Sequence, residues 1–464
     1  MDGAAMKNDG VLLLSHCGYS FIEDLVAALN ARGLRSFVLS SSPLSVHRER
    51  RLDQLSRMTT RLIATESPEL TSQDVSAALD ELHEKGERVL ACISVWEGYR
   101  DLMGQANAEL GVADLAPIEV LALRDKLGLR NRLANAGLSR ARAVELTREN
   151  FDALKSDGRH YFVKPVCGIA SYGAFSLRSE SEWSDIERIS DEARRDETYR
   201  SAFGKNLSFM AEDYVPGREF SFELLAVDAR LHTVAIHEKC EMTETAGTVL
   251  EDCCVSPPIS INSDVCAAGM RWVSQLFDEL ELRWSCFHLE ARYDGSQWDL
   301  IEINPRVGGC LISPSVKALT GVASMLEMWL DLLMAAADKV SPRVAEFDRK
   351  IETVSYRGNG VPSSGFGTFF RAYFARPGHI DFIGLRSVEP APIVSQLFLK
   401  KGDDIEQASR EVFLGQLLWR VPRQQCESQL PDLMRISAEA VEVRYAVDAR
   451  LAATSTNDVL ESML

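Results

Sequence analysis

Two hydrophobic periods alternate along the first hundred residues. "VLLL" (11–14) is a continuous apolar run, "FIEDLVAALNARG" (21–33) spaces its apolar residues as a helix does, and "SFVLSS" (36–41) returns to a run. Strand, helix and strand in this order is the doubly wound α/β pattern. It recurs in "DVSAALDELHEKGERVLACISVW" (74–96), where a helix feeds an apolar strand at 89–95. Residues 1–115 are therefore expected to form an open α/β domain. Its first turn lacks G-x-G-x-x-G, so a dinucleotide fingerprint is unsupported.

Further along, "LALRDKLGLRNRLANAGL" (121–138) has helical spacing, with Gly137 closing the helix. "YFVKP" (161–165) reads as a short strand carrying a lysine, and "VCGIASYGAFSL" (166–177) as a glycine-containing loop returning into a strand. "LSFMAEDYVPGREFSFELLAV" (207–227) reads as strand, turn at Pro216-Gly217, and strand. A hairpin is expected over 287–309, then a long helix in "ASMLEMWLDLLMAAADKV" (323–340), then a mixed region over 351–440 with strands near "VSQLFL" and helices beyond. No internal repeat, low-complexity tract or long linker interrupts the chain.

With 464 residues, 46% of them hydrophobic, the chain can bury a large core shared among several subdomains. Lys and Arg total 51 against 68 Asp and Glu, a formal charge of −17 that disfavours nonspecific binding to nucleic acid or an anionic membrane. The ten cysteines contain no CxxC pair, which leaves neither a zinc knuckle nor a redox motif to read and suits buried thiols of a reducing compartment. The start lacks a basic and then apolar signal, and no run reaches the ~20 apolar residues of a membrane span. A soluble, cytoplasmic protein is the expectation.

The chemistry concentrates in "FHLEARYDGSQWDLIEINPRVGG" (287–309). Residues two apart on a strand share a face, so Glu302 and Asn304 go together, as do His288 and Glu290. A loop centred on Ser296 sets Glu290 opposite Glu302 and His288 opposite Asn304. Like charges opposed across a ladder are destabilising unless neutralised, and a divalent cation is the simplest answer. Oxygen ligands of this kind suit Mg²⁺ or Mn²⁺. The alternate positions Leu289, Ala291, Leu300, Ile301 and Ile303 are apolar, which argues for a hairpin packed on a core rather than a solvated one. For phosphates, Gly168 and Gly173 have Walker A glycine spacing, but Ala174 and Phe175 follow instead of Lys and Ser/Thr. The loop, with Ser171 and Gly173 and preceded by Lys164, can still lay backbone N–H groups and an ammonium over phosphates; an ordinary hairpin loop is the alternative.

"RDK" (124–126), "VKP" (163–165) with its glycine loop, "EDYVPGREF" (212–220), and "HLE" followed by "EINPRVGG" come in the order and spacing of the ATP-grasp superfamily, which the chain resembles over roughly residues 10–340. The stretch "GLRSVEPAPIVSQLFLKKGDDIEQASREVFLGQLLWRV" (384–421) resembles the lid of its carboxylate-amine ligase branch, the L-amino acid ligases. The resemblance implies an ATP-grasp fold, α/β in class, with a small ATP-binding subdomain at 116–205, a core with the metal site at 206–340 and a lid at 341–464.

It further implies that Lys126 and Lys164 contact ATP phosphates, that Glu212, Asp213, Tyr214 and Val215 form the adenine hinge, and that Glu219 takes the ribose hydroxyls. Glu290, Glu302 and Asn304 match the ligands of two Mg²⁺ ions, with Glu302 bridging. Arg306 stands where relatives hold the substrate carboxylate and acyl phosphate, which suits its planar fork, and Gly309 could offer an N–H to an oxyanion. Lys239 is a further phosphate candidate, and Glu251 and His288 are substrate candidates. The segment "TVLEDCCVSPP" departs from the family, with Cys254 where a histidine is common. The implied activity is ATP-dependent amide formation between an amino acid and another amino acid or small carboxylic acid, in specialised metabolism, with a homodimer left open. An ATP-grasp carboxylase acting on bicarbonate and a catalytically silent nucleotide-binding protein are the rivals.

Overall fold

A computed structural model of the chain describes residues 8–45, 47–203, 207–245, 247–337, 342–406 and 408–446. The N-terminal unit is a parallel sheet of β1 (Asp9–Ser15), β2 (Arg35–Ser40), β3 (Arg61–Ala64) and β4 (Arg88–Ile93), in the order β3-β2-β1-β4. Val11 to Leu14 are fully buried, as a parallel strand covered on both faces requires. The covering layer is not all local. The helix Met325–Ala336 packs Trp329, Leu330 and Leu333 into the same core, and the predicted end of that helix at Asp338–Val340 lies outside the described residues.

The single helix expected over 121–138 is two, Pro117–Arg124 and Lys126–Asn135. Asp125 leaves helical geometry and its carboxylate accepts the Gly128 N–H at 3.0 Å, so it caps the second helix. That break makes Lys126 the first residue of a helix, and its N–H donates to the Val166 carbonyl at the root of the glycine loop.

A small sheet follows, from β5 (Ala143–Leu146), β6 (Tyr161–Pro165), β7 (Phe175–Leu177) and β8 (Phe209–Asp213), in the order β5-β8-β6-β7. The large sheet contains β9 (Arg218–Val227), β10 (Arg230–Glu244), β11 (Val249–Ser256), β12 (Ser285–Tyr293), β13 (Trp298–Asn304), β14 (Phe366–Phe374), β16 (Val394–Leu397) and β18 (Phe413–Pro422), in the order β13-β12-β9-β10-β11-β14-β18-β16. β15 (Gly378–Leu385), β17 (Asp404–Ile405) and β19 (Val441–Tyr445) make a fourth sheet, of three strands.

Two of the expected boundaries give way to this pairing. β8 falls after residue 205 yet lies inside the small sheet, and β14, β16 and β18 fall after residue 340 yet extend the core sheet through β11. Ladder hydrogen bonds join strands distant in sequence, and no linker marks the chain where a sheet recruits them. The turn between β8 and β9 is as expected. Gly217 sits there at φ +109°, and a Cβ on it would lie 2.3 Å from the Tyr293 carbonyl oxygen.

The N-terminal unit is bolted to the core through Arg100, which is fully buried. Its guanidinium donates to the Pro305 carbonyl at 2.8 Å and the Ser285 hydroxyl at 2.9 Å, pairs with buried Asp114, and lies over the Trp329 ring. Replacing it leaves Asp114 buried without its cation. Arg100→Ala is expected to lower stability by about 3–5 kcal/mol, measured by urea unfolding, and to loosen the loop that carries Arg306.

Candidate active site

The β12–β13 hairpin pairs Glu290 with Glu302 and His288 with Asn304, the expected register, though by a different route. Near the turn the pairs are Tyr293 with Trp298 and Ala291 with Leu300, so the loop is not centred on Ser296. One extra residue, Ile301, is a β-bulge that restores the register at the acids. Leu289, Ala291, Leu300 and Ile303 are buried against Phe220, Phe222 and the helix Ser263–Glu279, but Ile301 is not part of that face and lines the cleft instead.

The bulge supplies carbonyls as well as register. Lys164 donates to the Ile301 carbonyl at 3.2 Å, and Arg130 donates to those of Leu300 at 2.6 Å and Ile301 at 3.2 Å. Both cations also hold buried Glu212, at 2.7 and 2.8 Å. Burial lowers Lys164 below its usual value despite Glu212. Lys126 reaches the Gly168 carbonyl at 3.1 Å and Glu302 at 3.3 Å. Burial would lower it, but Glu302 and Glu97 outweigh that and raise it.

Glu290 has two positive neighbours. Lys239 donates to it at 2.9 Å, and His288 bridges it at 3.0 Å to Glu223 at 2.8 Å. Burial alone would neutralise His288, yet Glu223 and Glu290 push it up to about 10, so it is an imidazolium at neutral pH. Lys239 also pairs with Glu219 at 2.6 Å and with Glu251. One ammonium cannot offset three carboxylates crowded around it, and desolvation with the charges of Glu290 and Glu219 pushes Glu251 up to about 7.

The acids form one wall of a cleft also lined by Lys126, Lys164, Ser171, Tyr214, Val215 and Glu219. The cleft holds about 90 Å³, well short of the ~300 Å³ where ligand pockets begin. Beyond the acids lies a chamber of about 590 Å³, lined by Arg306, Gly309, His288, Asn304 and Glu251 among others. Arg306 donates to Glu97 at 2.9 and 3.1 Å. Gly308 packs so closely on His288 that a Cβ would lie 2.7 Å from its Nδ1.

Several predicted residues sit elsewhere. Asp213, at the end of β8, binds Arg159 and the Arg142 N–H away from the cleft, because strand alternation turns it opposite to Glu212. The Gly173 N–H is spent on the carbonyls of Gly247 at 2.8 Å and Ser409 at 3.2 Å. Lys239 is sunk beneath Glu219, Glu251 and Glu290 rather than open to the cleft. His288 has carboxylates on both nitrogens and so holds Glu290 in place. Sequence reasoning missed Arg292, which donates to Glu219 at 2.8 Å and to the Val215 carbonyl and lies over Tyr214. Its position two residues after Glu290 was the available signal. Glu97 gave none, since its partner is 209 residues away.

Glu290, Glu302 and Asn304 fit a hard cation. All three offer oxygen, and Asn304 donates its Nδ2–H to Glu302 at 2.7 Å while its Oδ1 takes no hydrogen bond among the described residues. The carboxylates of Glu219, Glu251 and Glu290 also converge within 4.8 Å, but around the Lys239 ammonium.

Residues 160–314 match the family model described as the ATP-grasp domain. Over nearly the whole chain the fold is similar to those of several solved enzymes. An L-amino acid ligase from Bacillus licheniformis superposes with TM-score 0.71 at 17% identity, covering 96% of this chain and 100% of that one. Phosphoribosylglycinamide synthetase from Anaerococcus prevotii gives 0.61 at 12%, covering 94% and 100%. Pyruvate carboxylase from Rhizobium etli gives 0.59 at 14%, covering 94% of this chain but 38% of the larger enzyme. No curated protein sequence matches. Residues 160–314 thus match an ATP-grasp domain, as the motif order implied, and nearly the whole chain shares its fold with these three enzymes. No single helix among the described residues is long and apolar enough to cross a membrane.

A histidine raised by its partners contributes stability that is whole below its unfolded value and lost as pH rises through its folded one. The nucleotide-free protein is therefore expected to lose melting temperature between the ordinary imidazole value of about 6.5 and about 10. His288→Gln should abolish that component, as paired thermal melts across this range will show.

Proposed function

We propose that the protein is an ATP-dependent ligase that joins a carboxylic acid to an amine through an acyl phosphate, releasing ADP and phosphate. The observation that carries this reading is the shared wall. Glu290 and Glu302 stand between a lysine-lined cleft and a separate chamber with Arg306 in it.

In this reading Lys126 and Lys164 hold the phosphates, while Tyr214 and Val215 receive the adenine and Glu219 the ribose. Divalent cations on Glu290, Glu302 and Asn304 would draw charge from the phosphates. Arg306 orients the acid, whose carboxylate oxygen attacks the γ-phosphorus as the bond to the ADP oxygen breaks. The amine nitrogen then attacks the acyl carbon, phosphate leaves, and the displaced proton needs an acceptor. Glu251, near 7 and facing the chamber, suits that role. Gly309 is placed to offer an N–H to the oxyanion. Closure of the glycine loop excludes water, the competing nucleophile.

A bicarbonate-using carboxylase is the second reading, and the chamber disfavours it. Bicarbonate needs no space of about 590 Å³ lined with aromatic rings.

Product analysis separates the mechanisms. ADP and phosphate are expected, formed only when acid and amine are both present, and AMP with pyrophosphate would refute the acyl phosphate. Glu302→Gln should keep a normal melting curve and fall below a tenth of wild-type turnover, a barrier increase above ~1.4 kcal/mol. Arg306→Lys retains the charge but not the fork. It should bind ATP normally by calorimetry and remain severely impaired at saturating substrates.

A further inference from the structure

The chamber holds more acid than the ligase chemistry uses and little to balance it. Among its described lining residues Arg306 is the single lysine or arginine. Its two histidines are spent. His288 lies between Glu223 and Glu290, and His16 contacts the Tyr99 hydroxyl at 2.9 Å and the Thr198 carbonyl at 2.6 Å while stacked on Trp96. Burial lowers His16, which keeps it neutral.

On the side formed by β14, β16 and β18 the lining is aromatic. Phe374 and Phe413 pack with ring centroids 5.1 Å apart, and Phe398 stands edge-on to Phe413 at 6.4 Å with about half of its surface exposed (52%). Glu411, just before β18, lines the same chamber. Its carboxylate has no hydrogen-bond or ion-pair partner among the described residues, while its backbone carbonyl accepts from Arg410. Burial, with the charge of Glu251 nearby, pushes its carboxyl well above the ordinary range.

Two α-amino acids would bring two carboxylates into this space. Arg306 can pair with one, and the other would face Glu251 and Glu411 with only Lys239, already shared among Glu219, Glu251 and Glu290, beneath them, an unfavourable arrangement in a desolvated site. An ammonium has the opposite sign, and pairing with it would hold the Glu411 carboxyl in its ionised form. Resting on the ligase reading above, we infer that the amine substrate is a carboxylate-free amine bearing a large apolar group, its ammonium at Glu411 and its apolar group against Phe374, Phe398 and Phe413. The product is then an amide without a terminal carboxylate, not a dipeptide, and Phe398 and Phe413 set the preference for side-group size.

Phenethylamine and ethylamine test this, because neither can serve as the acid. Titrated calorimetrically into the full-length protein with Mg-ADP, phenethylamine is expected to bind at least tenfold more tightly than ethylamine. Glu411→Gln should weaken both amines at least tenfold while leaving ADP affinity unchanged. Phe413→Ala should erase most of the preference, and Phe398→Ala, at a half-exposed position, repeats the test without risk to the core. Equal affinities for the two amines, or a preference that survives both phenylalanine variants, overturns the inference. In a second arm, phenethylamine and phenylalanine compete at equal concentration with Mg-ATP and a panel of carboxylic acids. Predominant phenethylamide supports the inference, and predominant dipeptide overturns it while sustaining the ligase reading. Formation of no amide from any pair defeats the ligase reading, and the calorimetry then decides amine recognition alone.

Discussion

Two carboxylates opposed across a buried ladder impose the constraint on which this structure depends. Glu290 and Glu302 repel each other, and the surrounding protein is organised to bring positive charge to them: Lys126 from a helix start, Lys239 from β10, and His288 from the same strand. Each of these cations is itself desolvated, so each carries further partners. Glu223 stabilises His288 as an imidazolium, and Glu219 and Glu251 share Lys239. A buried ion network of this kind is weak as a source of stability, because desolvation offsets much of the attraction. Its use is positional: it presents acids, already ionised, at the boundary between two cavities.

Held this way, the hairpin also fixes the lysine-lined cleft. The bulge at Ile301 frees carbonyls that anchor Lys164 and Arg130, and both cations grip Glu212 on the small sheet. The same residues therefore line the cleft and tie the small sheet to the core. On the opposite side the N-terminal unit reaches in twice, through Arg100 on the Pro305 carbonyl and through Glu97 on the Arg306 guanidinium. The surroundings of Arg306 are consequently built from the first hundred residues as much as from the hairpin.

The hairpin was legible in the sequence because period-two alternation and a short turn are local properties, and motif order pointed to Lys126, Lys164 and Glu219, which line one cleft. The register came out right although the loop centre was misplaced, since the bulge compensated for it. Asp213 and Gly173 failed for a shared reason. A motif names the neighbourhood of a site, whereas strand alternation and competing backbone partners decide which groups in it face the ligand. Lys239 was expected at phosphates, but three distant acids capture it.

What the sequence by itself determined is the set of elements and the chemistry of the central hairpin: apolar runs that must be buried, and acids whose spacing puts them on one face. Tertiary structure alone decided that β14, β16 and β18 extend the core sheet, that Glu97 meets Arg306 across 209 residues, and that Phe398, Phe413 and Glu411 enclose the chamber. The physical reason is range. Periodicity, capping and turn geometry act over a few residues and leave their mark in the chain, while ladder pairing and charge compensation join groups whose separation in sequence carries no record of their contact.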